Sequence, residues 1–153
     1  MSNNVNNNLD DFKKVKIGDN ISVNYTGRLL SGEIFDSSIG RQPLSFVAGA
    51  GQMIKGFDEA VIGMKIGETK EITLSPEQAY GEIDDSKIIT FEKNSFNNFE
   101  ELKVGLIVKT ESDLEGIIME KNDNNAIINF NHKLAGKTLV FEISLVSINQ
   151  ENL

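Results

Sequence analysis

The chain has 153 residues, of which 39% are hydrophobic and 25% charged, and a formal net charge of −8 at pH 7. This is an ordinary globular composition, with no apolar run near the ~20 residues of a membrane-spanning helix, and a negative field that disfavours phosphate backbones and anionic lipid, so nucleic acid and membrane are not expected partners. The chain has no cysteine, which excludes disulfides, thiolate chemistry and cysteine metal sites together and makes the cytoplasm the expected location.

Residues 1–13 open with a polar, asparagine-rich stretch and are expected to form a disordered tail; Met1–Asn8 has neither the basic nor the apolar region of a signal peptide. From Asn20 to Tyr25 apolar and polar residues alternate, placing Ile21, Val23 and Tyr25 on one face of a half-buried strand that Thr26 and Gly27 can continue. Leu44–Val47, Glu71–Leu74 and Thr138–Ile148 read as further strands, the last with Leu139, Phe141, Ile143 and Leu145 on one face. Between Leu44–Val47 and Glu71–Leu74, Ile54, Phe57 and Val61 recur at helical spacing and Gly63 is placed to end a short helix. One helix against a curved antiparallel sheet makes an α+β domain.

The segment after Tyr80-Gly81 differs. It is polar as far as Lys87, offers Ile88, Ile89 and Phe91, and then reads as helical from Asn98 to Gly105, with Asn98 as cap and Glu101 three residues on. Short strands are expected at Leu106–Thr110, Gly116–Glu120 and Ala126–Phe130, with a turn at Asn122–Asn125. The last strand of the first domain comes only afterwards, so this small, mostly-β subdomain, 82–130, interrupts a domain formed by 14–81 and 131–150.

Familiar catalytic chemistry is absent from the pattern. The single histidine, His132, has no soft ligand to join it in a metal site and reads as fixing a turn before the final strand. No Gly-x-Ser-x-Gly elbow or second histidine supports a hydrolase, and Gly49-Ala-Gly51 lacks the third glycine of a dinucleotide fingerprint and the lysine of a phosphate loop. The acidic pairs Asp10-Asp11, Asp84-Asp85 and Glu100-Glu101 read as solvated loop or helix-start residues. No metal and no cofactor are expected.

What remains is a set of aromatics in conspicuous blocks: Val23-Asn-Tyr-Thr-Gly27, Gly32-Glu-Ile-Phe-Asp-Ser-Ser38, Pro43-Leu-Ser-Phe46, Gly51-Gln-Met-Ile-Lys-Gly-Phe-Asp-Glu-Ala60, Ala79-Tyr-Gly81 and Thr138-Leu-Val-Phe-Glu142. In order and spacing these resemble the signature segments of FKBP-type peptidyl-prolyl isomerases. About fifty residues stand where that family usually has a short flap, and with Asn131–Gly136 this placement resembles SlyD-type proteins, whose insert-in-flap domain binds unfolded chains. The resemblance spans Val15 to Ile148. Phe57 departs from it, standing where many FKBPs have tryptophan and so lacking an indole N–H. The histidine- and cysteine-rich tail of some SlyD proteins has no counterpart here, and its metal-handling role is not carried over.

The resemblance implies a prolyl pocket, with Tyr25, Asp36, Tyr80 and Phe141 in the catalytic positions and Phe35, Arg41, Phe46, Met53, Ile54 and Phe57 binding substrate. Without it, Phe46, Phe57 and Phe141 read as core residues and Asp36-Ser-Ser38 as a capped turn. It also implies client binding in the insert, for which Ile88, Ile89, Phe91, Phe96 and Phe99 are the candidates. Unfolded or proline-containing polypeptides, and macrolide inhibitors of the FKBP family, are the partners it suggests; a monomer is expected. The competing expectation is a holdase chaperone whose prolyl pocket is idle.

Overall fold

The computed structural model describes residues 14–149, so the N-terminal tail expected at 1–13 lies outside the described residues. Two compact units share the chain. One comprises the stretch up to Gly81 and the stretch from Gly136; the other is Glu82–Ala135.

In the first unit, β1 (Asn20–Leu29), β2 (Ile34–Ser37), β3 (Leu44–Val47), β4 (Thr69–Leu74) and β9 (Leu139–Ile148) form a five-stranded antiparallel sheet. Its order is β2-β1-β9-β4, with β3 also on β1. The alternating apolar residues of β1 and β9 face one core: Ile21, Val23, Leu139, Phe141, Ile143 and Leu145 are all buried. Against them packs α1 (Lys55–Ala60), the one α-helix among the described residues, which is shorter than the Ile54–Gly63 span suggested by periodicity. The apolar stripe continues past it, with Phe57, Val61 and Met64 at most 1% exposed, each such burial contributing ~2–3 kcal/mol. A side chain on Gly56 would run into Leu74, so this glycine lets the helix lie close to β4.

β2 was not apparent as a strand, because Ile34-Phe-Asp-Ser carries a charge at its centre and exposes Ile34 and Asp36. It is an edge strand held by pairing with β1, whose register slips between Gly27 and Arg28. The outer surface of this sheet is polar. Side chains bridge its strands as Ser22–Ser45, Thr69–Ser144 and the Arg28–Glu71 ion pair of 2.7 Å, the last a surface pair of ~0–1 kcal/mol.

The second unit is a four-stranded antiparallel sheet in the order β5-β8-β7-β6, from β5 (Ile88–Glu92), β6 (Ile107–Lys109), β7 (Glu115–Lys121) and β8 (Asn125–Asn129). Its core is Phe99, Leu102, Ile118, Ala126 and Ile128, with Phe91, Phe96, Val108 and Phe130 packed against it. The helix expected over Asn98–Gly105 is instead a single 3-10 turn, Phe99–Glu101. The Asn98 side chain makes no cap, and Leu102 is already extended at ψ 140, so the costly first turn of a helix has nothing to propagate into. Asn122 does build its turn, its side chain accepting the N–H groups of Asn124 and Asn125. Asp84 and Asn131 join the two ends of the unit, exchanging a 2.9 Å and a 3.1 Å hydrogen bond. No helix among the described residues is long and apolar enough to cross a membrane.

Candidate functional site

The helix, the sheet and the loops of the first unit bring five aromatic rings into one chain of contacts. Phe57, supplied by α1, is the hub: its centroid lies 5.2 Å from Phe141, 5.8 Å from Phe46 and 6.0 Å from Tyr25. Phe35 extends the group from β2, 5.6 Å from Phe141, and Tyr25 lies 6.5 Å from Phe141. Most of these pairs meet edge to face, at 87–90° for Phe57–Phe141, Tyr25–Phe57 and Phe35–Phe141, the arrangement the ring quadrupole favours. Phe57, Phe141 and Phe46 are buried, whereas Tyr25 and Phe35 are half-buried. The result is a floor of fixed rings with two more open walls.

One edge of this floor is charged. The Tyr25 hydroxyl donates to Asp36 Oδ2 at 2.8 Å, while Arg41 Nη2 and the Ser37 N–H donate to Asp36 Oδ1 at 2.9 and 2.8 Å. Partial burial works to raise the Asp36 carboxyl, but these three donors prevail and hold it below its usual value. The same contact acts in reverse on Tyr25. Burial first, and then the hydrogen bond to Asp36, push its phenol up to about 12. Tyr80 is also raised, by burial and then by the Asp36 charge, which places its hydroxyl within that carboxylate's field. Asp36 is therefore a fixed anion and both tyrosines are neutral at physiological pH, Tyr25 as a donor to Asp36.

Arg41 is folded back along its own loop: its guanidinium also donates twice to the Ser37 carbonyl. Met53 and Ile54 are half-buried at the start of α1, and the Ile54 carbonyl accepts the Asp58 N–H. All ten residues proposed from the sequence for the prolyl pocket thus lie in the first unit, and the contacts named here join Tyr25, Phe35, Asp36, Arg41, Phe46, Phe57 and Phe141 into one cluster.

Three further residues matter to this arrangement and were not singled out from the sequence. Gly27 lies beneath two of the rings, where an added Cβ would come within 2.6 Å of Phe35 and 2.7 Å of Phe141. Asp58, buried at the foot of α1, accepts the N–H groups of Gly49 and Gly51 at 2.7 and 2.9 Å and so ties down the loop that leads to Met53 and Ile54. Ser38, buried and polar, bonds to the main chain of Tyr25. Only Gly27 left a signal in the sequence, as a glycine within a strand pattern.

The five insert candidates do not form one surface. Phe99 is 5% exposed and belongs to the core of the second unit, with Lys121 Nζ 4.7 Å above its ring. A unit this small needs its largest side chains for itself. Ile88 pairs with Asn129 and so lies on the sheet face opposite Ile89 and Phe91, which pair with Ile128 and Ala126. Phe91 and Phe96 are 6.1 Å apart and line a groove of about 590 Å³ together with Leu106 and Ile107. The exposed aliphatics Ile107, Leu114, Ile117 and Met119 were not among the candidates. His132 accepts the Leu134 N–H at Nδ1, 3.0 Å away, fixing the turn before the chain returns to the first unit.

Comparison with known proteins follows the same outline. The profile for FKBP-type peptidyl-prolyl cis-trans isomerases matches residues 12–146. A short-type peptidyl-prolyl cis-trans isomerase of Methanocaldococcus jannaschii is 34% identical over 146 residues, covering 86% of this chain and 92% of the relative. The FKBP-type isomerase SlyD of Helicobacter pylori is 33% identical over 124 residues, 78% of this chain and 66% of that protein. FK506-binding protein 1A of Neurospora crassa is 50% identical over 70 residues, 45% of this chain and 58% of its own.

Proposed function

The chain belongs to the FKBP-type peptidyl-prolyl cis-trans isomerase family, and we propose that it turns X-Pro bonds in the aromatic cup around Phe57. An X-Pro bond resists rotation because amide conjugation is lost at the twisted geometry, a barrier of ~18–20 kcal/mol. No covalent bond has to break. A surface that desolvates the planar amide and accommodates the less conjugated form lowers this barrier by binding the twisted state better than the planar one.

In this reading, Phe46, Phe57 and Phe141 hold the proline ring, with Tyr25 and Phe35 as walls. The Ile54 N–H and the Tyr80 hydroxyl donate to substrate carbonyls. Asp36 acts through its fixed charge, which Arg41 and Tyr25 hold in place, and not as a base: a carboxylate kept below its ordinary value is a poor proton acceptor. The observation that carries the reading is the Tyr25–Asp36–Arg41 chain of hydrogen bonds on the edge of a five-ring cluster. Asp36 and Arg41 are exposed, so this chain of bonds packs no core and instead presents a fixed charge beside the rings.

The second unit is the proposed client-binding part. Its support is apolar surface on strands, with Ile89, Ile107, Ile117 and Met119 each at least 37% exposed. Captured chains would keep their prolines at raised effective concentration for the cup. FK506-type ligands are proposed for the same cup, by extension from the relative named for binding FK506.

A protease-free prolyl-peptide exchange assay on the wild type and on Asp36→Ala with Tyr80→Ala tests the activity. Wild-type exchange well above the solvent rate, largely lost in the double variant, is the expected result. A wild type no faster than solvent would leave a holdase as the surviving reading.

A further inference from the structure

The outer edge of β1 changes partners partway along. β2 pairs with it at Thr26, Gly27 and Arg28, and β3 at Asn20–Val23. Asn24 and Tyr25 fall in the gap between the two strands. A main-chain group facing such a gap must find another partner or lose a hydrogen bond. For Tyr25 that partner is Ser38, the residue just past the end of β2. The Ser38 N–H donates to the Tyr25 carbonyl at 2.9 Å, as a strand residue would, and the Ser38 hydroxyl accepts the Tyr25 N–H at 2.9 Å, in place of the carbonyl that a strand would have supplied. The hydroxyl's one proton has two acceptors in reach, Asn24 Oδ1 at 3.2 Å and the Tyr25 carbonyl at 3.4 Å, and with either it keeps a lone pair for the Tyr25 N–H. Ser38 is 3% exposed, so water is a poor substitute for it.

This splice lies at the residue whose hydroxyl reaches Asp36. Asp36 and Ser38 belong to one short segment, so Tyr25 meets that segment twice: through its main chain at Ser38 and through its hydroxyl at Asp36. The two contacts close a ring. If the Ser38 hydroxyl is lost, the Tyr25 N–H has no acceptor on this edge; β9 still pairs with β1 on the other, so the loosening is confined to the side facing Asp36, where the Tyr25 hydroxyl loses its fixed distance to the carboxylate. The rings of Phe46, Phe57 and Phe141 hang from β3, α1 and β9, and none of the hydrogen bonds made by Ser38 reaches them.

We propose that Ser38 is a positioning residue for the isomerase reaction: it splices the Tyr25 main chain to the Asp36–Ser38 segment and so keeps the Tyr25 hydroxyl on the Asp36 carboxylate, setting turnover and not substrate affinity. Groups held in place beside the twisting amide act on the barrier, whereas the grip of Phe46, Phe57 and Phe141 on the proline ring, which keeps its shape as the amide turns, adds mainly to affinity. The proposal rests on the cup being the prolyl site.

The test is Ser38→Ala in the full chain, with Ser38→Thr as the variant that keeps a hydroxyl. On a prolyl peptide, kcat is expected to fall ~10-fold, equivalent to ~1.4 kcal/mol, with KM changed less than about twofold, and Ser38→Thr to recover most of the loss. The chain has two tyrosines and no tryptophan, so tyrosinate absorbance in a Tyr80→Phe background reports the second readout. The Tyr25 transition, raised to about 12 in the wild type, is expected to move back toward 10.0 in Ser38→Ala. If Ser38→Ala does not fold, Asn24→Ala, at an exposed position, is expected to lower kcat in the same direction by a smaller factor. Wild-type kcat in the folded variant, or a loss of activity with the tyrosine titration unmoved, would overturn the proposal. An inactive wild type would reject the isomerase reading instead, and the tyrosine titration would still decide whether Ser38 holds Tyr25 on Asp36.

Discussion

In the unit that carries the cup, the large rings Phe46, Phe57 and Phe141 are 6%, 1% and 4% exposed; in the unit Glu82–Ala135, Ile107 and Leu114 are 60% and 59% exposed. The first unit also exposes aliphatics, Ile17, Leu30 and Ile39 at turns and Ile34 on the edge strand β2, but they stand singly. Those of the second recur on strands, at Ile89, Ile107, Ile117 and Met119. The contrast separates two physical tasks. Lowering a torsional barrier requires groups whose positions are settled before substrate arrives, and close packing supplies this. Holding many unrelated chains requires apolar surface that is not already satisfied.

The most severe way to break this contrast is to empty the centre of the first unit. Phe57→Ala removes the ring that touches Tyr25, Phe46 and Phe141 and should cost ~3–5 kcal/mol in chemical denaturation, with peptide turnover lost in whatever folds. Gly27→Ala is milder and more selective. Its methyl group would displace Phe35 or Phe141, costing ~1–3 kcal/mol, and kcat/KM should fall further than the stability change accounts for.

The acidic limb sharpens the account of the charged edge. Asp36 has its folded value lowered from 3.8, so its contribution to stability is complete above that value and disappears as pH falls through the lower, folded one. Tyr25 behaves oppositely at the alkaline end, where its contribution is complete below 10.0 and disappears as pH rises toward about 12. In Tyr25→Phe the Asp36 carboxyl should titrate at higher pH than in the wild type, as followed by carboxyl carbon shifts. The smallest effect is expected on the other side of the comparison. Ile107→Ser with Ile117→Ser, at exposed strand positions, should change stability by ~0.5 kcal/mol or less and leave peptide turnover unchanged, while weakening suppression of aggregation of an unfolded client.

Several of these features were legible before any coordinates. The alternation of Ile21, Val23 and Tyr25, the run Leu139 to Leu145 and the stripe of Phe57 and Val61 marked the strands and helix that build the first core, because one-sided burial imposes its period on the residues. The blocks around Tyr25, Asp36, Phe57 and Tyr80 pointed by resemblance to the residues proposed for the pocket. β2 escaped notice because an edge strand is held by its neighbour and need not alternate. The Asn98–Gly105 turn carried helix-like residues without enough length to propagate. Asp58 could not be read at all, and Ser38 read only as part of the capped turn Asp36-Ser-Ser38; the role proposed for it rests on the gap between β2 and β3 on β1. Ile117 and Met119 were not singled out, because in a run apolar at Ile117, Ile118 and Met119 the sequence does not show which face is covered.

The division of labour between the units is tested most directly by proline-limited refolding of a protein substrate, measured alongside prolyl-peptide exchange, for the whole chain and for a form in which Glu82–Phe130 is replaced by a short flap. The account predicts that peptide exchange survives the replacement while the acceleration of protein refolding drops sharply. Equal acceleration of refolding by both forms would contradict it.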